Sequence, residues 1–318
     1  MQVRRLAQAA PERRGAGGVS MNNKFLIVTA DDFGLHEGVN EAVHQAAHAG
    51  TLTAASLMVS APAAADAVRR ARALPRLRVG LHLTLADGRA ELPHEAIPDL
   101  VDTAGRFGNG EAPRGLAHEG LRWFARPAVR SQLAAEIRAQ FRAFARTGLL
   151  LDHVNAHKHL HLHPTVLALI LEIGREFGMR AVRLPAEPRW FARRAGNGAV
   201  SSALGAAGLA PWLALMRRRL DAAGLEHNDQ VFGIASSGAM DEMALLAILE
   251  RLPPGATEIY LHPATCSGEA ISSSMRGYRH ADELAALLSP RVATTMALCG
   301  AARGGFLDCA ATGKLSPR

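Results

Sequence analysis

The stretch KFLIVTADDFGLHE, residues 24–37, decides how this chain is read. Its apolar run from Phe25 to Ala30 ends in two adjacent carboxylates, Asp31 and Asp32. A short apolar run bounded by turn chemistry reads as a buried strand. The two Asp then lie at its C-terminal end, where the βα loops of α/β folds converge and carry reactive groups. Gly34 permits a sharp turn directly behind them. Successive side chains on a strand point to opposite sides. At a strand end that is starting to turn, neighbouring Asp can hold different jobs, one on a metal and one free as a base. Taken alone, Asp-Asp also reads as a solvated turn with Asp at a helix N-cap, so the weight falls on the rest of the chain.

Outward from this stretch, strand and helix patterns alternate. Residues 37–50 read as a helix with an apolar face of Val39, Val43, Ala46 and Ala47, closed by Gly50. Residues 51–60 read as a strand, 62–74 as a helix and 78–85 as a third strand carrying His82. This repetition argues for a parallel α/β architecture. Residues 87–118 read as a long loop, and 129–146 as a helix striped by Leu133, Ile137, Phe141 and Phe144. Further strands are expected at 149–154, 181–184, 231–235 and 257–261, and helices at 164–177, 240–252 and 281–288. So many β-then-α units in one run favour an irregular (β/α) barrel, TIM-like, over an open doubly wound sheet. No GxGxxG follows the first strand, which counts against a dinucleotide fold.

The expected organisation is a single barrel domain over 21–300 with an inserted segment at about 190–226. Residues 1–20 have neither a sustained pattern nor the apolar core of a secretory signal, and read as a disordered extension. Residues 301–318 are Gly/Ala-rich and read as a flexible tail.

The 318 residues are 48% apolar and 20% charged, ordinary for a globular chain with a substantial core. The three cysteines form no CxxC pair, which points to a reducing cytoplasm and leaves any metal to His and Asp. Residues 1–20 carry four Arg and one Glu, so +3 of the net +7 lies there. The rest has a modest excess, and no basic patch is interleaved with aromatics. No nucleic-acid partner is expected.

Chemistry concentrates in DHVNAHKHLHLHP, residues 152–164. His153, His157, His159, His161 and His163 all fall on odd positions, with Asn155 among them. On a strand they share a face; in a helix His157/His161 and His159/His163 become i,i+4 pairs. Either geometry brings two imidazoles to one ion, so spacing alone does not select the ligands. Three strand ends can be combined: Asp32 after the first, His82 in the third and His157 after a later one. One carboxylate and two imidazoles suit one divalent ion, Zn²⁺ foremost, with Mg²⁺ or another divalent cation as the alternative. Asp31 is then placed to take a proton from attacking water, and His262, ending the last strand, to protonate a leaving group. That set suits metal-assisted hydrolysis of an amide or ester.

TADDFG at 29–34, GLHLT at 80–84, the His-rich stretch and YLHP at 260–263 together resemble the YdjC-like (ChbG-type) carbohydrate deacetylases. The resemblance covers about residues 24–290 and preserves the motif order. It implies an irregular (β/α) barrel and metal-dependent removal of N-acetyl groups from amino sugars. It implies Asp32, His82 and His157 as metal ligands, Asp31 as base and His262 as acid. Many relatives read Asp-Ser-His-His-His where this chain has Asn155-Ala156-His157-Lys158-His159, so support of the metal differs here. Asn155, Lys158, His159, His161 and Arg183 are further candidates for substrate contact or for support of the ligands.

DHVNAHKHLHLHP, VRLPAEP at 182–188 and NDQVFG at 228–233 look closest to the hopanoid-biosynthesis-associated branch, HpnK. The implied substrate is an N-acetylglucosaminyl bacteriohopanetetrol, a glycolipid, with soluble chitooligosaccharides as the alternative. A non-catalytic glycolipid- or metal-binding protein is the rival reading. Trp190, Phe191, Trp212, Leu213, Leu215 and Met216 could form an apolar lip or membrane-surface contact, or a helix capping the barrel. The expected location is cytoplasmic, with peripheral contact at the inner membrane left open. A homodimer is also left open.

Overall fold

The computed structural model describes residues 24–108, 116–192 and 199–311. The expected disorder of residues 1–20 lies outside them. Seven strands form one sheet: β1 (Lys24–Phe33), β2 (Ala54–Leu57), β3 (Arg78–Leu83), β4 (Leu151–Ala156), β5 (Gln230–Phe232), β6 (Gly255–Leu261) and β7 (Ala302–Arg303). The order is β4-β3-β2-β1-β6-β5, all parallel, with β7 pairing β1 at Phe25 and Leu26. The edge strands β4 and β5 do not pair directly. Segment 180–186 runs between them: Val182 bridges Val154, Ala181 bridges Glu226, and Val231 N donates to Ala186 O at 3.0 Å. The sheet thus curls round into an irregular barrel, as the strand count suggested.

Alternation along the strands sorts the barrel interior into layers. Phe25, Ile27, Ala54, Ala181 and Ala256 form an apolar floor. Phe306 and Cys309, from the short helix Phe306–Ala311, complete it from below. The expectation of a flexible tail from 301 is corrected over 301–311: these residues add a strand and plug the barrel. Residues 312–318 lie outside the described residues. Above the floor the interior turns polar, with Thr29, Ser56, His153, Glu258 and Arg183 all buried. The outward faces of the strands pack on the helices in one continuous apolar core.

The expected helices form, with caps that explain their limits, and Pro290–Leu298 adds one that was not expected. Glu37–Ala49 starts at His36, whose side chain accepts from Gly38 N, and ends at Gly50 with φ +83°. Pro164–Glu176 is capped by His163, which accounts for the last member of the His cluster. Within the expected loop over 87–118, Leu116 begins a helix to Ala125. Pro127–Arg146 follows it, with Pro at its start.

In the segment at 190–226, Arg189–Ala192 and Ala199–Ala222 are helical. Phe191 packs on Phe232, Met216 and Leu220 are fully buried, and Trp212 Nε1 donates to Leu162 O at 2.8 Å. Phe191 and Met216 therefore belong to the core, not to an exposed lip. Trp190, Leu209 and Leu215 remain exposed. No helix of the described residues is long and apolar enough to cross a membrane.

Candidate active site

The two adjacent carboxylates reach one site through a break in strand register. Ala30 pairs with Ala55 but Phe33 with Leu57, so β1 carries one extra residue across Asp31 and Asp32. Such a bulge re-aims side chains. Asp31 keeps the inward face of Thr29. Asp32 would point away, but it adopts φ +62°, a left-handed conformation that Asp tolerates better than most residues. Gly34 follows at φ +96°, where a Cβ would stand 3.1 Å from Met58 O.

Asp32 Oδ1 lies 2.9 Å from His157 Nδ1 and 3.2 Å from His82 Nε2. One ligand atom from each of Asp32, His82 and His157 falls within 4.8 Å of the others, and all three residues are buried. This triad can hold a metal ion. Two observations fit a divalent cation. Asp32 Oδ2 is buried with no hydrogen-bond partner. Around it, three buried carboxyl groups (Asp31, Asp32, Glu258) face one buried guanidinium (Arg183), an excess of acidic groups that suits a cation. Burial opposes ionisation of Asp32, but His157 and His82 outweigh it and hold the carboxyl well below its ordinary range. Burial likewise works against a protonated His82, yet Asp31 and Asp32 raise its pKa: the site attracts positive charge.

Asp31 is held apart from the triad. Arg183 forks onto it, Nη1 to Oδ2 at 2.5 Å and Nη2 to Oδ1 at 3.0 Å, and Asn155 Nδ2 donates to Oδ1 at 3.2 Å. The far side of the guanidinium grips Glu258 at 2.9 and 2.7 Å. Burial alone would raise the Asp31 pKa, but Arg183 drives it far below the usual carboxylate value. Asp31 is thus a carboxylate with one unclaimed lone pair on Oδ2.

His262 sits across the cavity, Nε2 3.9 Å from Asp32 Oδ2. Burial lowers its pKa, partly offset by Asp32 and Asp31. Its backbone is clamped: Glu283 accepts from His262 N at 2.5 Å and from Met240 N at 2.9 Å, while His280 Nδ1 donates to His262 O at 2.5 Å. Burial pushes the Glu283 carboxyl up to about 7 against these donors.

The remaining candidates spread out. Asn155 Oδ1 accepts from His82 Nδ1 at 2.6 Å. Lys158 and His159 both adopt φ +53° and line the cavity, which has a volume of about 190 Å³. Lys158 Nζ pairs with Asp87 at 3.3 Å, and His159 Nε2 meets Tyr260 OH at 2.9 Å. Burial pushes the His159 pKa down to about 3, with Arg183 adding to it. His161 lies behind His159, fully buried and without a hydrogen-bond partner on either ring nitrogen. The two geometries expected for the cluster, one strand face or i,i+4 pairs, are replaced by a left-handed turn directly after His157. Asp32, Asp87, Lys158 and His159 are the non-glycine residues with positive φ among the described residues. All four meet at this site, as stored strain tends to.

Tyr260, Tyr278, Ser274 and Asp87 were not singled out from the sequence. Tyr260, Tyr278 and Ser274 line the cavity, and Asp87 accepts from Ser274. Glu258 had one signal, a lone charge inside the apolar strand TEIYL.

The YdjC-like protein family matches residues 25–297 of the chain. A carbohydrate deacetylase of Geobacillus stearothermophilus is 30% identical over 276 residues, spanning 86% of this chain and 93% of its own. A carbohydrate deacetylase of Thermoanaerobacter pseudethanolicus is 27% identical over 251 residues, spanning 79% and 85%. A crystal structure from Enterococcus faecalis, provisionally assigned to cellobiose-phosphate cleavage, superposes with a TM-score of 0.67 at 23% identity. It covers 90% of this chain and 98% of its own, a likeness of fold.

Proposed function

The chain belongs to the YdjC-like protein family, and from that membership we propose that it is a metal-dependent carbohydrate N-deacetylase. One observation carries the reading. The bulge in β1 delivers two neighbouring carboxylates to one site in different settings, Asp32 facing two imidazoles and Asp31 held away on Arg183. Pure binding of a metal or sugar has no use for the second.

Asp32, His82 and His157 would hold the ion, Zn²⁺ in this reading. It would supply Lewis-acid polarisation of the acetamide carbonyl and a lowered pKa for water. Asp31 Oδ2 accepts the proton of the attacking water. Arg183 keeps that carboxylate ionised and aimed. His262 Nε2 donates to the departing amine, and the nearby Asp32 and Asp31 partly offset the burial that lowers its pKa. Lys158 and His159 stand on the cavity wall where a sugar hydroxyl would pass.

The proposed substrate is an N-acetylglucosaminyl bacteriohopanetetrol, acted on in the cytoplasm with peripheral contact at the membrane. The resemblance of the 152–164, 182–188 and 228–233 motifs to the hopanoid-associated branch supports it. A groove of about 630 Å³ containing Leu35, Met58, Ile271, Arg89 and Arg106 could take the rest of the molecule. It adjoins the cavity through Asp87, which lines the groove and pairs with Lys158. Acetate release from this glycolipid and from diacetylchitobiose, side by side, tests the substrate. Turnover of the glycolipid at least tenfold faster is expected. Turnover of chitobiose alone would keep the chemistry and discard the lipid. Metal binding with acetate from neither would favour a binding protein.

A further inference from the structure

Beneath the cavity, a line of buried polar side chains crosses the barrel interior. At its lower end Asp152 accepts from Phe306 N at 3.0 Å and Leu307 N at 3.1 Å, the first turn of the plugging helix. Asp152 Oδ2 also meets His153 Nδ1 at 2.9 Å. His153 Nε2 lies 3.0 Å from Ser56 Oγ, and Asn155 Nδ2 donates to the same Oγ at 2.9 Å. Asn155 then bonds Asp31 and His82 as above. Ser56, His153 and Asn155 are wholly inaccessible to solvent. The line requires a glycine above it: a Cβ on Gly80 would stand 2.5 Å from the His153 ring.

Protons along this line have one consistent arrangement, set by carboxylates at its two ends. Asp31 is ionised and only accepts, so the Asn155 amide must turn its NH₂ to it. Asn155 Oδ1 then faces His82, whose Nδ1 must carry the proton. That leaves Nε2, the atom facing Asp32, as the His82 nitrogen that would bind an ion. At the other end Asp152 already accepts two backbone N–H groups, so His153 Nδ1 is the donor to it. Ser56 accepts from Asn155 and gives its own hydrogen to His153 Nε2. No donor faces a donor anywhere along the line.

We infer that Ser56 and His153 are positioning residues for metal binding, acting through Asn155 to fix the amide orientation and the His82 tautomer. This rests on the reading that Asp32, His82 and His157 hold a divalent ion. The same line explains how the chain works with Asn155 in place of a carboxylate. An amide can accept from His82 and donate to Asp31, whereas a carboxylate there would confront Asp31 across 3.2 Å.

The test uses Ser56→Ala and Asn155→Leu in the full chain. Two quantities are read: Zn²⁺ affinity by chelator competition, and solvent exchange of the hydrogen-bonded His82 Nδ1 proton by imidazole NMR of the metal-free protein. Partners of metal ligands typically contribute 10–100-fold in affinity. Asn155→Leu is expected near the upper end and Ser56→Ala near tenfold, and both should speed exchange of the His82 Nδ1 proton. Ser56→Ala removes one buried oxygen and keeps the packing, so folding of the variant is not at issue. Zn²⁺ affinity within twofold of wild type in Ser56→Ala, or a His82 Nδ1 proton that exchanges as slowly as in the wild type, would overturn the inference. Should the wild type bind no divalent metal, the proposed function fails while the His82 Nδ1 proton still tests the line.

Discussion

Asp31→Asn is expected to lower kcat by about 10²–10⁴-fold, the usual contribution of a positioned acid or base, while Zn²⁺ stays bound with an affinity loss of no more than about tenfold, transmitted through Asn155. The asymmetry follows from geometry. Asp31 contributes no atom to the triad, and its two oxygens are committed to Arg183 and Asn155 apart from one lone pair. Asn keeps the shape of the side chain but its nitrogen cannot accept a proton. Calorimetric zinc titration beside single-turnover acetate release separates binding from chemistry. A variant near wild-type turnover would assign the base elsewhere. Loss of zinc with loss of turnover would make Asp31 a ligand, contrary to the account.

Arg183→Met should destabilise the fold by about 3–5 kcal/mol, the range for removing one partner of a buried ion pair. Arg183 is fully buried between Asp31 and Glu258, whose only cationic partner in the described contacts it is. Methionine approximates its volume but leaves both carboxylates uncompensated in the barrel interior. Arg183→Lys should recover little, because one ammonium cannot fork to two carboxylates on opposite sides. Urea denaturation of the three proteins at one pH decides it. A loss under about 1 kcal/mol in Arg183→Met would mean the carboxylates are solvated or protonated, and the charge accounting of the site would fail.

How much of this was legible varies by element, for physical reasons. The apolar run 25–30 announced β1, and the repetition of such runs announced the barrel, because burial on both faces demands apolar residues. The triad was legible as three strand ends. The bulge that brings Asp32 inward was not, since register is a property of the partner strand: Ala55 and Leu57 set it, not Asp-Asp. Five alternating histidines implied a shared face, yet positive φ at Lys158 and His159 turns the chain directly after His157. Non-glycine residues carry no local mark of that conformation; tertiary contacts impose it. The tail misled because small residues show no period, although Phe306 and Cys309 are buried by closing the barrel floor. His153 was visible within the cluster, but its distance from Asp32, His82 and His157 and its link through Ser56 depend on strand pairing.

The central claim is that metal held by Asp32, His82 and His157 is required for deacetylation. Its most direct measurement is acetate release from diacetylchitobiose or the glycolipid by protein as purified, after chelation, and after Zn²⁺ is restored, with His157→Ala alongside. The account predicts acetate and free amine in equal amounts, lost on chelation, recovered with Zn²⁺, and absent throughout in His157→Ala. Acetate release that persists in the chelated protein or in His157→Ala would contradict it.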